Sequence, residues 1–376
     1  MKFIPLMVPD IREEDIEAVA RVLRSGMLVQ GEQVAALEKR FAEYTGASHA
    51  IAVANGTASL HLALVALGVG PGDEVIVPAF SYVATANVVE LVGASCVFVD
   101  IDRATFNIDV SKIEEAVTPR TKAIIPVHEF GLSCDLEMVV EIARKHNLAV
   151  VEDAACALGA FHQGRHVGTF GEIGSFSLHP RKAITSGEGG VITTNDPELA
   201  RKLRILRNHG IEMRNQRMEF VVAGFNYRLT EMQAALVLSQ FGRFEEILEE
   251  KQLLAQAYFD GLQGLKQIEL PVIPAGKTHS WQTFHVVVAD SSDRDAVISE
   301  LRENGVGSNY GAQCIPAQQY YQGKYSLASE SLFPNAYRAY RQGLALPLYA
   351  GLSGEDVARI VRTVQILAEL KQQVPD

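Results

Sequence analysis

A single lysine, Lys182, lies in the middle of the stretch SFSLHPRKAITSGEGG at residues 175–190. Apolar runs on either side, at 175–178 and 191–194, predict two short buried strands joined by a polar loop. A lysine amine that loses its hydration at the edge of a sheet falls below the free pKa of about 10.4 and becomes a nucleophile. Most lysines stay hydrated at the surface, so a Schiff-base role for Lys182 depends on the residues that accompany it.

A carboxylate provides that context. The apolar run 148–151 predicts a buried strand that leads into Glu152 and Asp153, twenty-nine residues before Lys182. An unpaired carboxylate is costly to bury, and the protonated nitrogen of a pyridine ring would compensate it. The alternative role for Asp153 is an ordinary helix N-cap. A Schiff-base lysine and an aspartate for a pyridinium nitrogen are the pair that a pyridoxal phosphate (PLP) enzyme requires.

A possible phosphate site lies near the N-terminus. The apolar strand predicted at 50–54 breaks at Asn-Gly-Thr-Ala, residues 55–58, and an apolar helix follows. A strand, a glycine turn and a helix aim free backbone N–H groups at an anion. An ordinary helix capped by Thr57 gives the same pattern, so this motif alone does not decide between the two.

Strands and helices alternate up to about residue 194, and the strands are apolar throughout. This pattern predicts a mostly parallel sheet that is covered on both faces. Ligands of such sheets bind beyond the carboxyl ends of the strands. Thr57, Tyr82, Asp153 and Ser177 all follow predicted strand ends in four separate segments, which indicates one shared site.

A later segment, 209–220, is predicted to be an irregular loop.

A chain of 376 residues is long for one core. We predict a large domain at 1–245 and a smaller α+β domain at 246–376, with the N-terminal helix a candidate to pack on the smaller one. The net charge of −11 argues against nucleic-acid or anionic-membrane partners. Four dispersed cysteines favour free thiols in a reducing compartment. With no apolar run of membrane-spanning length and no signal-peptide pattern, we predict a cytoplasmic protein without a metal site.

These motifs resemble those of the DegT/DnrJ sugar aminotransferases over nearly the whole chain. The resemblance implies the α/β PLP-transferase fold of type I, with a central sheet in a large domain and a smaller C-terminal domain. It also implies PLP as cofactor and transfer of an amino group, from L-glutamate, to a nucleotide-linked keto-deoxy sugar. A homodimer with shared active sites is expected as well.

The resemblance also implies residue roles. Lys182 would be the catalytic residue and would bind the cofactor covalently. The aromatic residue expected to stack on the cofactor ring is Tyr82, or Phe80 if the register is shifted. The other expected contacts are Gly56, Thr57, Ala58 and Ser177 for the phosphate, Asp153 for the ring nitrogen, Asn226 for the phosphate of the neighbouring subunit, and His179 and Arg228 for substrate. Cys156 stands where the family often has a glutamine that contacts the phenolic oxygen, and a thiol is a weak donor.

Three other functions fit parts of the pattern. A keto-cyclitol aminotransferase would use the same chemistry on a smaller substrate, and a PLP-dependent lyase would not need a keto acceptor. A non-enzymatic regulator would keep the fold, but the intact Lys182 and Asp153 argue against it. A nicotinamide enzyme is disfavoured because no G-x-G-x-x-G follows the first strand. The nucleotide, and whether C3 or C4 of the sugar is aminated, stay open.

Overall fold

The computed structural model describes residues 2–289 and 293–370. The strands are β1 (His49–Val53), β2 (Glu74–Pro78), β3 (Phe80–Ser81), β4 (Ser95–Val99), β5 (Thr121–Ile124), β6 (Ala149–Asp153), β7 (Phe161–His162), β8 (Arg165–His166), β9 (Ile173–Ser177), β10 (Gly190–Thr194), β11 (Ile211–Arg214), β12 (Arg217–Phe220), β13 (Ile268–Glu269), β14 (Phe284–Val288), β15 (Gln313–Cys314) and β16 (Gly343–Leu346). The helices are α1 (Glu13–Ser25), α2 (Glu32–Thr45), α3 (Gly56–Leu67), α4 (Ala84–Leu91), α5 (Leu136–His146), α6 (Pro197–Arg207), α7 (Glu231–Phe241), α8 (Phe244–Leu262), α9 (Arg294–Glu303), α10 (Gln319–Tyr325), α11 (Ser329–Leu332), α12 (Pro334–Gln342) and α13 (Gly354–Leu370).

The central sheet has seven strands in the order β1-β10-β9-β6-β5-β2-β4. The last five are parallel, whereas β10 runs antiparallel to both β9 and β1. Along β1, Ile51 and Val53 enter one apolar core while Ala50 and Ala52 enter another. Because successive strand residues point to opposite faces, both faces are covered. The predicted α/β fold with a mostly parallel sheet is confirmed.

The register of the sheet brings separate strand ends together. Gly190 at the start of β10 pairs with Val53 at the end of β1 and with Ser177 at the end of β9. Asp153 at the end of β6 is level with Ser175 of β9. Since β10 is antiparallel to its neighbours, its first residue lies at the edge where the other strands finish. The loops after β1, β6 and β9 therefore share one edge.

A third apolar core, apart from the two on the faces of the central sheet, is built by α8, β14, β16 and α13. Ile4, from before α1, belongs to this core, whereas α1 itself packs on α7 through Ala18, Val22 and Ala235. The segment 312–339 instead packs on the core of the central sheet, and β15 pairs with β3. The last residues of the proposed second domain, 371–376, lie outside the described residues. No helix in the described part of the chain is long and apolar enough to cross a membrane.

The prediction of an irregular loop at 209–220 is wrong, because β11 and β12 form an antiparallel hairpin there. Its two turn residues, Asn215 and Gln216, have φ values of 49° and 63°. A two-residue turn with both φ values positive usually carries Asn-Gly or Asp-Gly. Glutamine rarely adopts this conformation, so the local sequence gives no hairpin signal.

The start of α2 is capped by a side chain from α7. The buried Glu231 carboxylate accepts hydrogen bonds from the backbone N–H groups of Gly31 at 2.8 Å, Gln33 at 2.8 Å and Val34 at 2.9 Å. The first N–H groups of a helix have no partner within the helix, and the Gly31 N-cap has no side chain to offer. Glu231 therefore joins two helices that are about two hundred residues apart in sequence.

We predict that Glu231→Ala lowers the free energy of unfolding by about 2–4 kcal/mol, because it leaves several buried N–H groups without an acceptor. Chemical denaturation monitored by circular dichroism measures the loss. Glu141→Ala, on the exposed side of α5, is the matched control and should change stability by less than about 0.5 kcal/mol. Equal stability of the two variants would contradict the capping role.

Candidate active site

The N-terminus of α3 offers free backbone donors. The Asn55 side chain accepts a hydrogen bond from the Ala58 N–H at 2.8 Å, so Asn55 rather than Thr57 is the N-cap. Among the described residues, the N–H groups of Gly56 and Thr57 have no hydrogen-bond acceptor. Such donors at the positive end of a helix dipole bind phosphate.

Glycine is also required at position 56 because Ser177 lies so close to it. A Cβ atom at Gly56 would lie 2.9 Å from the Cβ atom of Ser177, at the end of β9. This contact is too close for any other residue unless the backbone moves. The close approach places the Ser177 hydroxyl beside the start of α3, so both elements can reach one anion.

Two adjacent carboxylates end β6, and they face opposite sides of the sheet. Glu152 is fully satisfied: it accepts hydrogen bonds from the N–H groups of Gly168, Phe170 and Gly171, at 2.6–2.8 Å, and contacts His128 Nε2 at 3.1 Å. Burial opposes its ionisation, but these contacts outweigh burial and lower the pKa of Glu152. Glu152 is thus a structural anion that holds the loop before β9.

Asp153 has fewer partners. It is 5% exposed, and it accepts a hydrogen bond from the Thr85 hydroxyl at 2.8 Å and from the Ala155 N–H at 3.2 Å. Burial raises the pKa of Asp153, although these bonds and the charge of Lys182 oppose the rise. A buried carboxyl in this state would be stabilised as the anion by a cationic ligand, such as a protonated pyridine ring.

The loop after β9 brings Lys182 to the same place. The Lys182 amine donates a hydrogen bond to the Cys156 sulfur at 3.0 Å, and Cys156 follows Asp153 by three residues. Burial raises the pKa of the Cys156 thiol, while the nearby Lys182 charge acts in the opposite direction. A half-buried amine, a buried aspartate and a helix N-terminus thus meet at one sheet edge. They fit the aldehyde, the ring nitrogen and the phosphate of PLP.

The structure places the remaining predicted residues as follows. Tyr82 is 66% exposed at the start of α4, close to Thr85. Phe80, considered as its substitute, is fully buried against Phe106 and Phe130 and is not available to stack on a ligand. Of these two residues, Tyr82 is the one whose side chain is exposed.

The last three predicted residues, His179, Asn226 and Arg228, have the following surroundings in the single chain. The His179 Nδ1 atom accepts a hydrogen bond from the Arg181 N–H at 3.3 Å, and burial lowers the pKa of this imidazole. Asn226 is exposed, and Arg228 donates a hydrogen bond to the Asn208 side chain. Within the described ranges, no hydrogen bond links these three side chains to Lys182 or Asp153.

Sequence reasoning missed three polar residues at the site: Thr85, Glu129 and Lys251. The Lys251 amine is buried and has no hydrogen-bond partner in the part of the chain that the structure describes, and burial lowers its pKa to about 7. It lines a cavity of about 10 Å³ together with Cys156 and Lys182. Glu129 could have been recognised from the sequence, because it is a carboxylate that follows an apolar strand, as Asp153 is. Thr85 and Lys251 lie in ordinary helical patterns, which give no such indication.

The chain matches the model of the DegT/DnrJ/EryC1/StrS aminotransferase family over residues 9–365. It belongs to this family. It is 43% identical over 337 residues to the GDP-perosamine synthase of Caulobacter vibrioides, a match that covers 88% of this chain and 89% of that protein. The predicted family is therefore confirmed.

Solved structures of family members agree with the fold. A sugar aminotransferase from Streptococcus pneumoniae, in its PMP form, superposes with a TM-score of 0.94 at 30% identity and covers 99% of this chain and 100% of that one. DesV of S. venezuelae superposes with a TM-score of 0.92 at 34% identity and covers 100% of both chains. The Streptococcus protein has also been solved in a PLP form. This DegT-family protein is a PLP-dependent aminotransferase, as predicted.

We predict that Cys156 is the first cysteine to react with iodoacetamide, because the other three, Cys96, Cys134 and Cys314, are buried. Its raised pKa means that less thiolate is present at pH 7 than in a free cysteine, so labelling should be slow and should accelerate as the pH rises. Peptide mass spectrometry measures the rates. Saturating PLP should slow labelling of Cys156 at least about tenfold by covering the thiol; unchanged labelling would contradict its place in the cofactor site.

Proposed function

We propose that this DegT-family protein transfers an amino group from L-glutamate to the keto carbon of a nucleotide-linked keto-deoxy sugar, with Lys182 as the catalytic residue. The observation that carries the assignment is the meeting of the Lys182 amine, in contact with Cys156, and the buried Asp153 carboxyl at one sheet edge. The 43% identity to a GDP-perosamine synthase supports a GDP-linked sugar as the acceptor.

Bound PLP supplies an aldehyde carbon and a ring that accepts electrons. Lys182 is the residue that would hold the cofactor through this aldehyde. Its free amine would take the proton from the Cα atom of glutamate as a general base and return a proton as a general acid. Asp153 would hold a proton on the ring nitrogen, and the Thr85 hydroxyl, which donates to the Asp153 carboxylate at 2.8 Å, orients that carboxylate.

The remaining contacts orient the cofactor. The free N–H groups of Gly56 and Thr57 and the Ser177 hydroxyl would bind the phosphate, whereas the Ala58 N–H is already bonded to Asn55 and Ala58 would only line this turn. Tyr82 would cover the ring face. Cys156, His179 and Arg228 are the other residues that we assign to the site. His179 and Arg228 are assigned to substrate binding.

The keto-cyclitol alternative shares all of this chemistry, so the acceptor must be tested directly. The nucleotide-sugar reading is supported by the relative that makes a GDP-linked sugar. A screen of GDP-linked and other nucleotide-linked keto sugars against scyllo-inosose distinguishes the two readings and identifies the aminated carbon.

We further place the protein in the cytoplasm, where its free thiols would stay reduced.

A homodimer with shared sites is supported by the hairpin of β11 and β12. Its register puts Met213 opposite Met218 and Ile211 opposite Phe220, so these four residues share one face. Met213, Met218 and Phe220 are 63%, 59% and 70% exposed in the single chain. The hairpin leads into Asn226, which is also exposed. A second copy that covers this apolar face would bring a partner's Asn226 toward the phosphate site.

We predict that Lys182→Ala loses the visible absorption band of the bound cofactor and lowers turnover at least about 10³-fold. Absorption spectra with PLP, before and after L-glutamate, and product formation with a GDP-linked keto sugar measure both effects. Lys122→Ala, an exposed lysine on β5, should behave as wild type. Turnover by Lys182→Ala with both substrates present would refute the catalytic role.

Shared sites predict complementation between two inactive variants. In a mixed dimer of Lys182→Ala and Asn226→Ala subunits, one site has both native residues and the other has neither. Doubly tagged mixed dimers should therefore regain about half of the wild-type turnover, whereas each homodimer stays impaired. If Asn226 serves the site of its own chain, every site in the mixed dimer keeps one defect and no activity returns.

A further inference from the structure

Glu129 is a buried carboxyl group that the proposed mechanism does not use. It lies in the turn after β5 and is 4% exposed. Its Oε2 atom is fully buried and has no hydrogen-bond partner among residues 2–289 and 293–370. Leaving a buried polar atom unpaired costs free energy, so this atom is expected to find a partner in the working enzyme.

The backbone around Glu129 is held rigidly. The Glu129 N–H donates to Asn107 Oδ1 at 2.8 Å, and the Phe130 carbonyl accepts from the Gln282 N–H at 3.0 Å. Phe130 has a φ of 55°, and its ring stacks on His285 with the centroids 4.3 Å apart. A non-glycine residue in this conformation persists only where its surroundings impose it. The backbone from which the Glu129 side chain projects is therefore fixed by its tertiary contacts.

The charged and titratable groups that face Glu129 are those of the cofactor site. Burial and the nearby Asp153 raise the pKa of Glu129 to about 8, while Lys182, the Ser81 hydroxyl and the Phe130 N–H oppose the rise. The charge of Glu129 also acts to raise the pKa of the Cys156 thiol. At neutral pH the carboxyl is thus mostly protonated, so it can donate a hydrogen bond.

The chemistry of PLP identifies which part of the cofactor is near. Two ring edges join the nitrogen to the carbon that bears the aldehyde: one carries the phosphate arm, and the other carries the phenolic oxygen. Gly56 and Ser177, which contact each other, mark the phosphate arm. The strand order places β6, which ends at Asp153, between β9, which ends at Ser177, and β5, which leads to Glu129. Glu129 is thus on the side of Asp153 away from Ser177, and it interacts electrostatically with Asp153, at the nitrogen, and Lys182, at the aldehyde. It therefore lies toward the phenolic edge.

We propose that Glu129 is a further cofactor-binding residue, whose buried Oε2 donates a hydrogen bond to the phenolic oxygen of PLP. This inference rests on the proposed function for the positions of the ring nitrogen and the aldehyde. Cys156 lies at the same edge, but a thiol is a weak donor and its sulfur already accepts from Lys182. A protonated carboxyl is a stronger donor than that thiol.

The test compares Glu129→Met, which keeps the length but removes the donor, with Glu129→Gln, which keeps an N–H donor. PLP is titrated into each apoprotein, and the dissociation constant, the absorption maximum of the bound cofactor and the apoprotein melting temperature are measured. Glu129→Met should bind PLP about tenfold more weakly and shift the maximum, since one hydrogen bond is lost. Glu129→Gln should stay within about threefold of wild type.

The melting temperature separates this role from a structural one. Because Oε2 is unpaired in the apoprotein, Glu129→Met should melt at the same temperature as wild type or above it. Wild-type affinity and spectrum in Glu129→Met would overturn the proposal, and so would a lower melting temperature in both variants. Wild type and Lys182→Ala are titrated with PLP in the same experiment. Absence of the cofactor absorption band in wild type would refute the proposed function itself. A normal band in wild type together with an unaffected Glu129→Met would refute only the role of Glu129.

Discussion

The opposite environments of two neighbouring carboxylates at the end of β6 underlie the whole site. Glu152 is tied by three backbone N–H groups and His128, so the loop that precedes β9 cannot move freely. Asp153, on the other face, keeps a raised pKa because burial is only partly offset. Glu152 stabilises the surrounding loop, whereas Asp153 remains a carboxyl group that a cationic ligand would stabilise as the anion. This division lets a buried strand carry two acids without the cost of two unpaired charges.

The antiparallel strand β10 determines how the phosphate end is assembled. Its first residue, Gly190, pairs with the last residues of both β1 and β9, which places the start of α3 beside Ser177. A side chain at Gly190 would strike the Asn55 carbonyl oxygen at 2.6 Å. Glycine at 56 and 190 therefore permits the close approach of three segments. The same loop connection, from β9 to β10, carries Lys182, so cofactor attachment and phosphate binding depend on one piece of backbone.

The two acids that face this edge on neighbouring strands, Asp153 and Glu129, have different partners. Asp153 interacts with Thr85, which in turn lies 3.1 Å from Ser81, and Ser81 also faces Glu129. The hydroxyl groups therefore connect the two acids in one polar network inside an apolar core. In such a network a change at one acid alters the other. A cationic ring nitrogen at Asp153 would favour its ionised form and leave the proton on Glu129.

Much of this arrangement was already determined by the sequence. The apolar strands alternating with helices predicted the parallel sheet, and residues at strand ends predicted the shared edge, because parallel strands finish on one side. Thr57, Tyr82, Asp153 and Ser177 were predicted to share a site for this reason. Local patterns did not predict the cap on α2 by Glu231 or the hairpin turn at Asn215 and Gln216, since both depend on contacts or backbone angles that residue type alone does not specify. Only the tertiary structure showed that Glu129 and Lys251 are buried beside Lys182, because burial, and with it the pKa of an acid or an amine, is decided by which distant segments pack around it.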